Sequence, residues 1–261
     1  MTLWQAVLLG LVQGLTEFLP VSSSGHLRVL EVVTGTRAPA VFVEVALHVA
    51  TLGSVLVVYG ARLWAIVRGV LARRPEDLRT AGLLTLATIP AGVIGVLFHH
   101  RVEEAATSLV LVGTGFVITG FFNWSTRRLT GTRTEPTVRT AVGIGFAQAL
   151  AAVFRGISRS GSTVCVALWG GLGPGAAAEF SFLLAVPVIA GAALVEGRHM
   201  VVDVAAAGAV PLAVGCAVAF GAGIWSIRFL VALLRRGRFY AFAPYCWAVG
   251  ALTIAYGLWR G

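Results

Sequence analysis

The sequence predicts an all-α integral membrane protein, built as six transmembrane helices plus two re-entrant helical hairpins in an inverted-topology repeat. Three observations carry this prediction. The chain is 57% hydrophobic and only 12% charged, with mean hydropathy +0.88, where soluble domains hold roughly 25% charged residues. Apolar stretches recur over all 261 residues and leave no soluble domain. Two unlike polar motifs sit in apolar surroundings at matching places in the two halves, around Glu17 and around Arg159.

Ten apolar segments follow in order: 2–18, 21–35, 41–60, 81–99, 107–124, 140–154, 158–172, 176–197, 204–234 and 240–259. The first lacks a basic leader region and runs straight into motif residues, so it reads as part of the fold rather than a cleaved signal. A crossing needs about 20 apolar residues. The third, fourth, fifth, eighth, ninth and tenth segments are long enough. The pairs 2–18 with 21–35 and 140–154 with 158–172 are shorter, and each meets at a Gly/Ser-rich turn. Irregular backbone at membrane depth is tolerated only where protein or a wet cavity surrounds it, so each pair reads as a hairpin that enters and leaves on one side.

Arginine placement orients the spans. The net charge is +9, carried on the basic side by arginine alone. Arg62, Arg68, Arg73, Arg74 and Arg79 crowd one connection, Arg127, Arg128, Arg133 and Arg139 a second, and Arg235, Arg236 and Arg238 a third. The positive-inside rule makes these three cytoplasmic. The short connections at 99–106 and 197–203 then face outward, with both termini. On this topology the basic charge faces lipid headgroups and nucleic acid is not a partner. His99, His100, His199, Glu103 and Glu104 read as solvated loop residues. Cys165, Cys216 and Cys246 lie far apart in apolar context, without metal spacing, and read as small buried hydrophobes.

A shift of 135 residues aligns Gln13 with Gln148, Ser23 with Ser158 and Glu44 with Glu179, and sets Arg155 opposite Pro20. The chain is therefore one membrane domain of two inverted repeats, 1–135 and 136–261. Folds of this kind place their site near the midplane, where the broken helices meet.

Ionisable groups inside a membrane are candidates for function. Glu17 stands in an apolar half-helix just before Pro20 and reads as a general base or a metal ligand, or as a helix cap. Ser22, Ser23, Ser24 and Gly25 form the turn, and His26 follows on the next helix. His26 reads as general acid or nucleophile, with Ser23 the rival nucleophile. In the second half Ser158, Arg159, Ser160, Gly161, Ser162 and Thr163 open a half-helix. Its N-terminal amides and dipole favour an anion, and a guanidinium grips phosphate with two hydrogen bonds. Glu44, His48 and Thr51, and in the other half Glu179 and Ser181, either line this site or pair within the core.

The stretch from Gly14 to His26, the stretch from Gly156 to Thr163 and the stretch from Glu179 to Pro187 resemble the signatures of the undecaprenyl-diphosphate phosphatases of the bacitracin-resistance type. The resemblance covers essentially the whole chain. It implies hydrolysis of undecaprenyl diphosphate to the monophosphate and inorganic phosphate, assisted by a divalent metal ion, Mg2+ or Ca2+, bound at Glu17. It implies recycling of the lipid carrier for peptidoglycan synthesis, bacitracin resistance, and a multi-pass protein of the plasma membrane whose active site faces outward. Its partners are then the polyprenyl diphosphate and membrane lipids; the sequence leaves monomer and homodimer both open. Carried over by position, Glu17, Ser23, His26 and Arg159 are catalytic. Gln13, Ser22, Ser24, Gly25, Ser158, Ser160, Gly161 and Thr163 surround the substrate. The chain departs from that pattern twice: Gln13 stands where the family often has an acidic residue, and Arg155 where it usually has proline. The rival class is a transporter or flippase of polyprenyl phosphate, since inverted repeats suit alternating access as well. Such a carrier needs an anion clamp but no acid–base group. A purely structural membrane partner would leave the costly polar groups unexplained.

Overall fold

The computed structural model describes residues 1–34, 41–97, 108–196 and 208–260; the loop residues His99, His100, His199, Glu103 and Glu104 lie outside the described residues. Among the described residues ten α-helices follow one another: α1 (Leu3–Phe18), α2 (Ser23–Thr34), α3 (Val41–Leu71), α4 (Pro75–Leu97), α5 (Leu109–Ser125), α6 (Val138–Val153), α7 (Arg159–Trp169), α8 (Pro174–Glu196), α9 (Ala209–Arg235) and α10 (Ala243–Arg260). Each expected apolar segment is a helix. Five of them, α3, α5, α8, α9 and α10, are long and apolar enough to cross a membrane. In α4 the apolar stretch begins only after Glu76, Asp77 and Arg79 in the opening turns.

Local chemistry sets the helix ends that matter. Thr2 caps α1 through a reciprocal pair of bonds with Gln5, 3.2 and 2.9 Å long. Leu19, in extended conformation, ends α1 one residue before Pro20, whose ring disfavours α-helical backbone in the residue preceding it. Thr137 caps α6 and Ser158 caps α7, each accepting a backbone N–H three residues on.

The packing exchanges partners between the halves. Helix α1 of the first hairpin lies along α9, whereas α6 of the second lies along α4. Helices α5 and α10 pack on each other, as do α3 and α8. Glycines permit both hairpin contacts. A Cβ on Gly10 would run into the carbonyl of Gly215, and one on Gly145, which is 135 residues further on, would stand 2.8 Å from the carbonyl of Ala87. The backbones thus approach as closely as small-residue interfaces in membranes allow. The core gathers around the inner end of α1, where Phe18 meets Phe182 edge-on at 5.6 Å and Val55, Ile144, Val164 and Ile227 are buried.

Three arginine-rich connections lie at one end of the bundle. Arg79 pairs with Glu135 at 3.8 Å, and the rings of Trp124 and Tyr240 meet at 6.0 Å. The α7–α8 turn joins them there through a backbone bond from Arg133 to Gly171. The second hairpin therefore opens at that end. The first opens at the other, where Trp4 and Leu8 face Leu30 and Thr34 across a small groove. Their tips meet: a Cβ on Gly161 would touch Pro20 at 3.1 Å, and one on Gly25 would lie 3.0 Å from Gly156.

Candidate active site

Glu17 is the hub of the tip region. It is buried on the last turn of α1 and gathers four side chains. Arg159 Nη2 donates to its Oε1 at 2.5 Å. Ser23 Oγ donates to its Oε2 at 2.6 Å, and Gln13 Nε2, one turn earlier, at 3.1 Å. His48 Nε2, from α3, stands 3.5 Å from the same oxygen. A buried carboxylate costs several kcal/mol (roughly) unless it is paired and fully hydrogen-bonded, and this one is both. The pairing crosses the interface between hairpins, so the two motifs form one site.

Two buried atoms in this cluster have no hydrogen-bond partner: Arg159 Nη1 and Gln13 Oε1. A buried donor or acceptor left unmade costs about 1–3 kcal/mol. A buried guanidinium N–H without a partner is suited to a phosphate oxygen. An amide oxygen beside a carboxylate is suited to a hard cation, since Mg2+ and Ca2+ take oxygen ligands. Among the described residues no three His, Cys, Asp or Glu side chains converge as a metal-binding set. A cation here would therefore draw further ligands from substrate and water, as Mg2+ does beside phosphates.

The turn carrying Ser22, Ser23 and Ser24 is built under strain. Ser22 holds φ at 68°, a left-handed conformation that costs a non-glycine residue roughly 1–2 kcal/mol. Its carbonyl receives the His26 backbone N–H and ring Nδ1, the latter at 2.7 Å. Its hydroxyl lies 3.4 Å from the Gly25 N–H and 3.5 Å from Ser24 Oγ. The strained turn points Ser23 back at Glu17.

His26 is placed elsewhere. Its Nε2 bonds the Tyr245 hydroxyl at 2.7 Å, the two rings stack, and Phe116 meets its edge at 4.9 Å. With Nδ1–H on the Ser22 carbonyl, Nε2 accepts from Tyr245, and no hydrogen bond joins His26 to Glu17 or Ser23 among the described residues. The hydroxyls of the second motif are also engaged. Ser158 Oγ accepts from the Gly161 N–H at 3.0 Å and shares a bond with Ser160 Oγ at 3.2 Å. Ser160 Oγ reaches the Leu19 carbonyl of the first hairpin at 3.2 Å. Thr163 bonds the Arg159 carbonyl at 2.8 Å and Ser181 at 2.7 Å. All three are buried and fasten the tip that carries Arg159.

Sequence reasoning missed several supports. Asn123 of α5 donates to the Pro20 carbonyl at 2.8 Å. Thr119, also of α5, accepts the Ser158 N–H at 2.9 Å and donates to Gly156 at 3.0 Å. Isolated amides and hydroxyls in an apolar span were the signal available for both. Glu44 is paired with Arg155, at 3.3 and 3.4 Å, whereas Glu179 lies toward the arginine-rich end, bonded to Arg62 at 2.9 Å. There it lines a cavity of about 420 Å3 with Thr80, Glu135 and Leu183, away from the tips.

A family model described as bacitracin resistance protein BacA matches residues 6–252. The chain belongs to the BacA family. Full-length relatives agree. The undecaprenyl-diphosphatase of Desulfatibacillum aliphaticivorans is 40% identical over 275 residues, covering 96% of this chain and 97% of its own length. That of Syntrophotalea carbinolica is 40% identical over 267 residues, covering 98% and 99%. That of Alkaliphilus metalliredigens is 36% identical over 275 residues, covering 99% and 100%. Family membership and the apolar helices together make the chain a multi-pass membrane protein.

Proposed function

We propose that this BacA-family chain is an undecaprenyl-diphosphatase, releasing inorganic phosphate from the lipid diphosphate and leaving the monophosphate. The observation that carries the reading is the Ser23–Glu17–Arg159 cluster, which joins a nucleophile, a base and an anion clamp in one part-buried place. The names of the full-length relatives give the substrate.

Ser23 already donates its proton toward Glu17. As Ser23 Oγ forms a bond to the terminal phosphorus, Glu17 takes that proton and the bridging P–O bond breaks toward the lipid monophosphate. Glu17 gives that proton up to the departing monophosphate; ionised again, it takes a proton from water as the water oxygen bonds to the phosphoserine phosphorus, and the P–Oγ bond breaks with that proton passed to Ser23 Oγ as inorganic phosphate leaves. Arg159 Nη1 holds a phosphoryl oxygen as charge builds, a preorganised contribution that oxyanion-type donors make at roughly 10²–10³ in rate each. His26, held by Tyr245 and the Ser22 carbonyl, positions the serine turn. Gln13 Oε1 and the Glu17 carboxylate would hold a Mg2+ or Ca2+ ion. When bound, it would neutralise charge on the diphosphate.

The wider reading is a plasma-membrane protein with six crossings, α4 being the sixth, and an active site open to the outer side. In it the α1–α2 and α6–α7 hairpins are re-entrant halves of an inverted repeat, 1–135 and 136–261. The exchanged packing of α1 on α9 and α6 on α4 supports that repeat.

The test is phosphate release from farnesyl or undecaprenyl diphosphate by detergent-purified protein, with and without EDTA. Wild type should turn over, and Glu17→Ala or Ser23→Ala should lose at least about 10²-fold. Loss of turnover on chelation, restored by Mg2+ or Ca2+, supports the metal. Folded wild type that releases no phosphate with any metal supplied would overturn the reading in favour of a carrier.

A further inference from the structure

We propose that Arg155 is a second substrate-binding residue, seating the phosphate that remains on the lipid while Arg159 holds the terminal one; this rests on the diphosphatase reading. Two arginines stand at the tip of the second hairpin, and each is met by a glutamate from the first half. Arg159 meets Glu17. Arg155 meets Glu44 with both terminal nitrogens, at 3.3 and 3.4 Å.

His48 links the two pairs. Its Nδ1 bonds the Glu44 carbonyl at 2.8 Å, and its Nε2 faces Glu17 at 3.5 Å. Glu44 and His48 are one helical turn apart on α3, which separates residues by about 5.4 Å along the axis. The Arg155–Glu44 pair and the His48 contact with Glu17 therefore meet α3 on successive turns, which sets the two arginines in one row along that helix.

The pairs differ in access. The Arg159 and Glu17 side chains are 17% and 5% exposed, whereas Arg155 and Glu44 are 28% and 21% exposed. An anion entering the row meets Arg155 before Arg159. A diphosphate on a lipid enters with its terminal phosphate leading, so the phosphate bonded to the tail comes to rest at Arg155. The backbone there is fixed: a Cβ on Gly115 of α5 would stand 2.6 Å from the Arg155 carbonyl, and Gly156 holds φ at 94°. Glu44 competes with phosphate for the same fork, and phosphate, with more charge and suitable geometry for two parallel hydrogen bonds, displaces it.

The two members of this pair should therefore act in opposite directions. Arg155→Gln and Glu44→Gln in the full chain would be assayed for KM and kcat with farnesyl diphosphate. Inhibition by farnesyl monophosphate and by inorganic phosphate would be measured alongside. Arg155→Gln should raise KM and the monophosphate inhibition constant together, about tenfold for one lost charge-assisted contact. The change in kcat and in phosphate inhibition should be smaller. Glu44→Gln should lower KM and the monophosphate constant. Arg155→Lys, which keeps the charge and the packing, should recover part of the loss.

Both substitutions shifting KM in the same direction, or an Arg155→Gln monophosphate constant within twofold of wild type, would overturn the inference and leave the pair as a structural tie. Wild type that releases no phosphate would sink the diphosphatase reading alone. Calorimetric binding of farnesyl monophosphate to wild type and Arg155→Gln then still decides the role of Arg155.

Discussion

At the scale of a residue, Arg159 carries two duties that only its shape reconciles. Nη2 compensates the buried Glu17 carboxylate, and Nη1 is buried without a partner beside it. Lysine keeps the charge but has a single nitrogen, and it is more strongly hydrated than guanidinium. In Arg159→Lys the ammonium must choose between Glu17 and the substrate. Turnover should fall about 10²–10³-fold, with kcat reduced more than KM is raised, because the lost donor acts where charge develops. Steady-state kinetics on farnesyl diphosphate checks this; kcat within a few-fold of wild type would show that a point charge suffices and that the fork has no part in the reaction. Histidine teaches the converse. His26 shares a turn with Ser23 in sequence, yet its ring partner Tyr245 lies 219 residues away. Proximity along the chain therefore gave no guide to the partner of its Nε2.

At the scale of the element, the hairpins depend on backbone approach. Gly10 and Gly145 occupy equivalent registers, each against a carbonyl of a helix from the other half. Gly145→Leu would force α6 away from Ala87 and Pro90 of α4, at a cost of about 1–3 kcal/mol or more as overpacking. It would also tilt the hairpin that carries Arg159. Thermal unfolding in detergent should shift downward and activity should fall with it, whereas leucine at Gly82, where a Cβ meets nothing within 4 Å, should leave both near wild type. An unchanged melting point for Gly145→Leu would show that α6 does not rely on this approach. The hairpins were legible in sequence because short apolar runs met at Pro20 and at glycine-serine turns. Boundaries were legible only where a stop was chemical. The apolar run ended near residue 60, but α3 continues to Leu71, since Arg62, Trp64 and Arg68 are compatible with helix; hydropathy marks contact with lipid, not the end of hydrogen bonding. Helix α4 likewise begins at Pro75, where proline suits the first helical position and Glu76 and Asp77 suit the helix dipole. The pairing of Glu17 with Arg159 was readable as complementary charge in matching motifs. The engagement of Ser158, Ser160 and Thr163 was not, because a hydroxyl at a helix start serves a cap as readily as a ligand.

At the scale of the whole molecule, the two halves contribute unlike chemistry to one place. Gln13 belongs to the Glu17 cluster, while its counterpart Gln148 spans to the Ala87 carbonyl at 3.4 Å. Position 152, equivalent to Glu17, is alanine. One hairpin thus supplies the carboxylate and serine, and the other the guanidinium. The positive-inside rule predicts that the arginine-rich end faces the cytoplasm. This is testable with single cysteines at exposed positions, Arg74→Cys, Thr132→Cys and Arg236→Cys at one end and Trp4→Cys at the other, after replacing Cys165, Cys216 and Cys246 with alanine. A membrane-impermeant maleimide applied to intact spheroplasts should label Trp4→Cys alone, and all four once the membrane is opened. The three positions in the arginine-rich connections should behave as a set, because the Arg79–Glu135 pair and the Trp124–Tyr240 contact hold those connections at one end. Labelling of any one of them in intact cells without the others would break the six-crossing topology. Labelling of all three with Trp4→Cys protected would invert it, and would turn the mouth at Arg155 and Glu44 toward the cytoplasm.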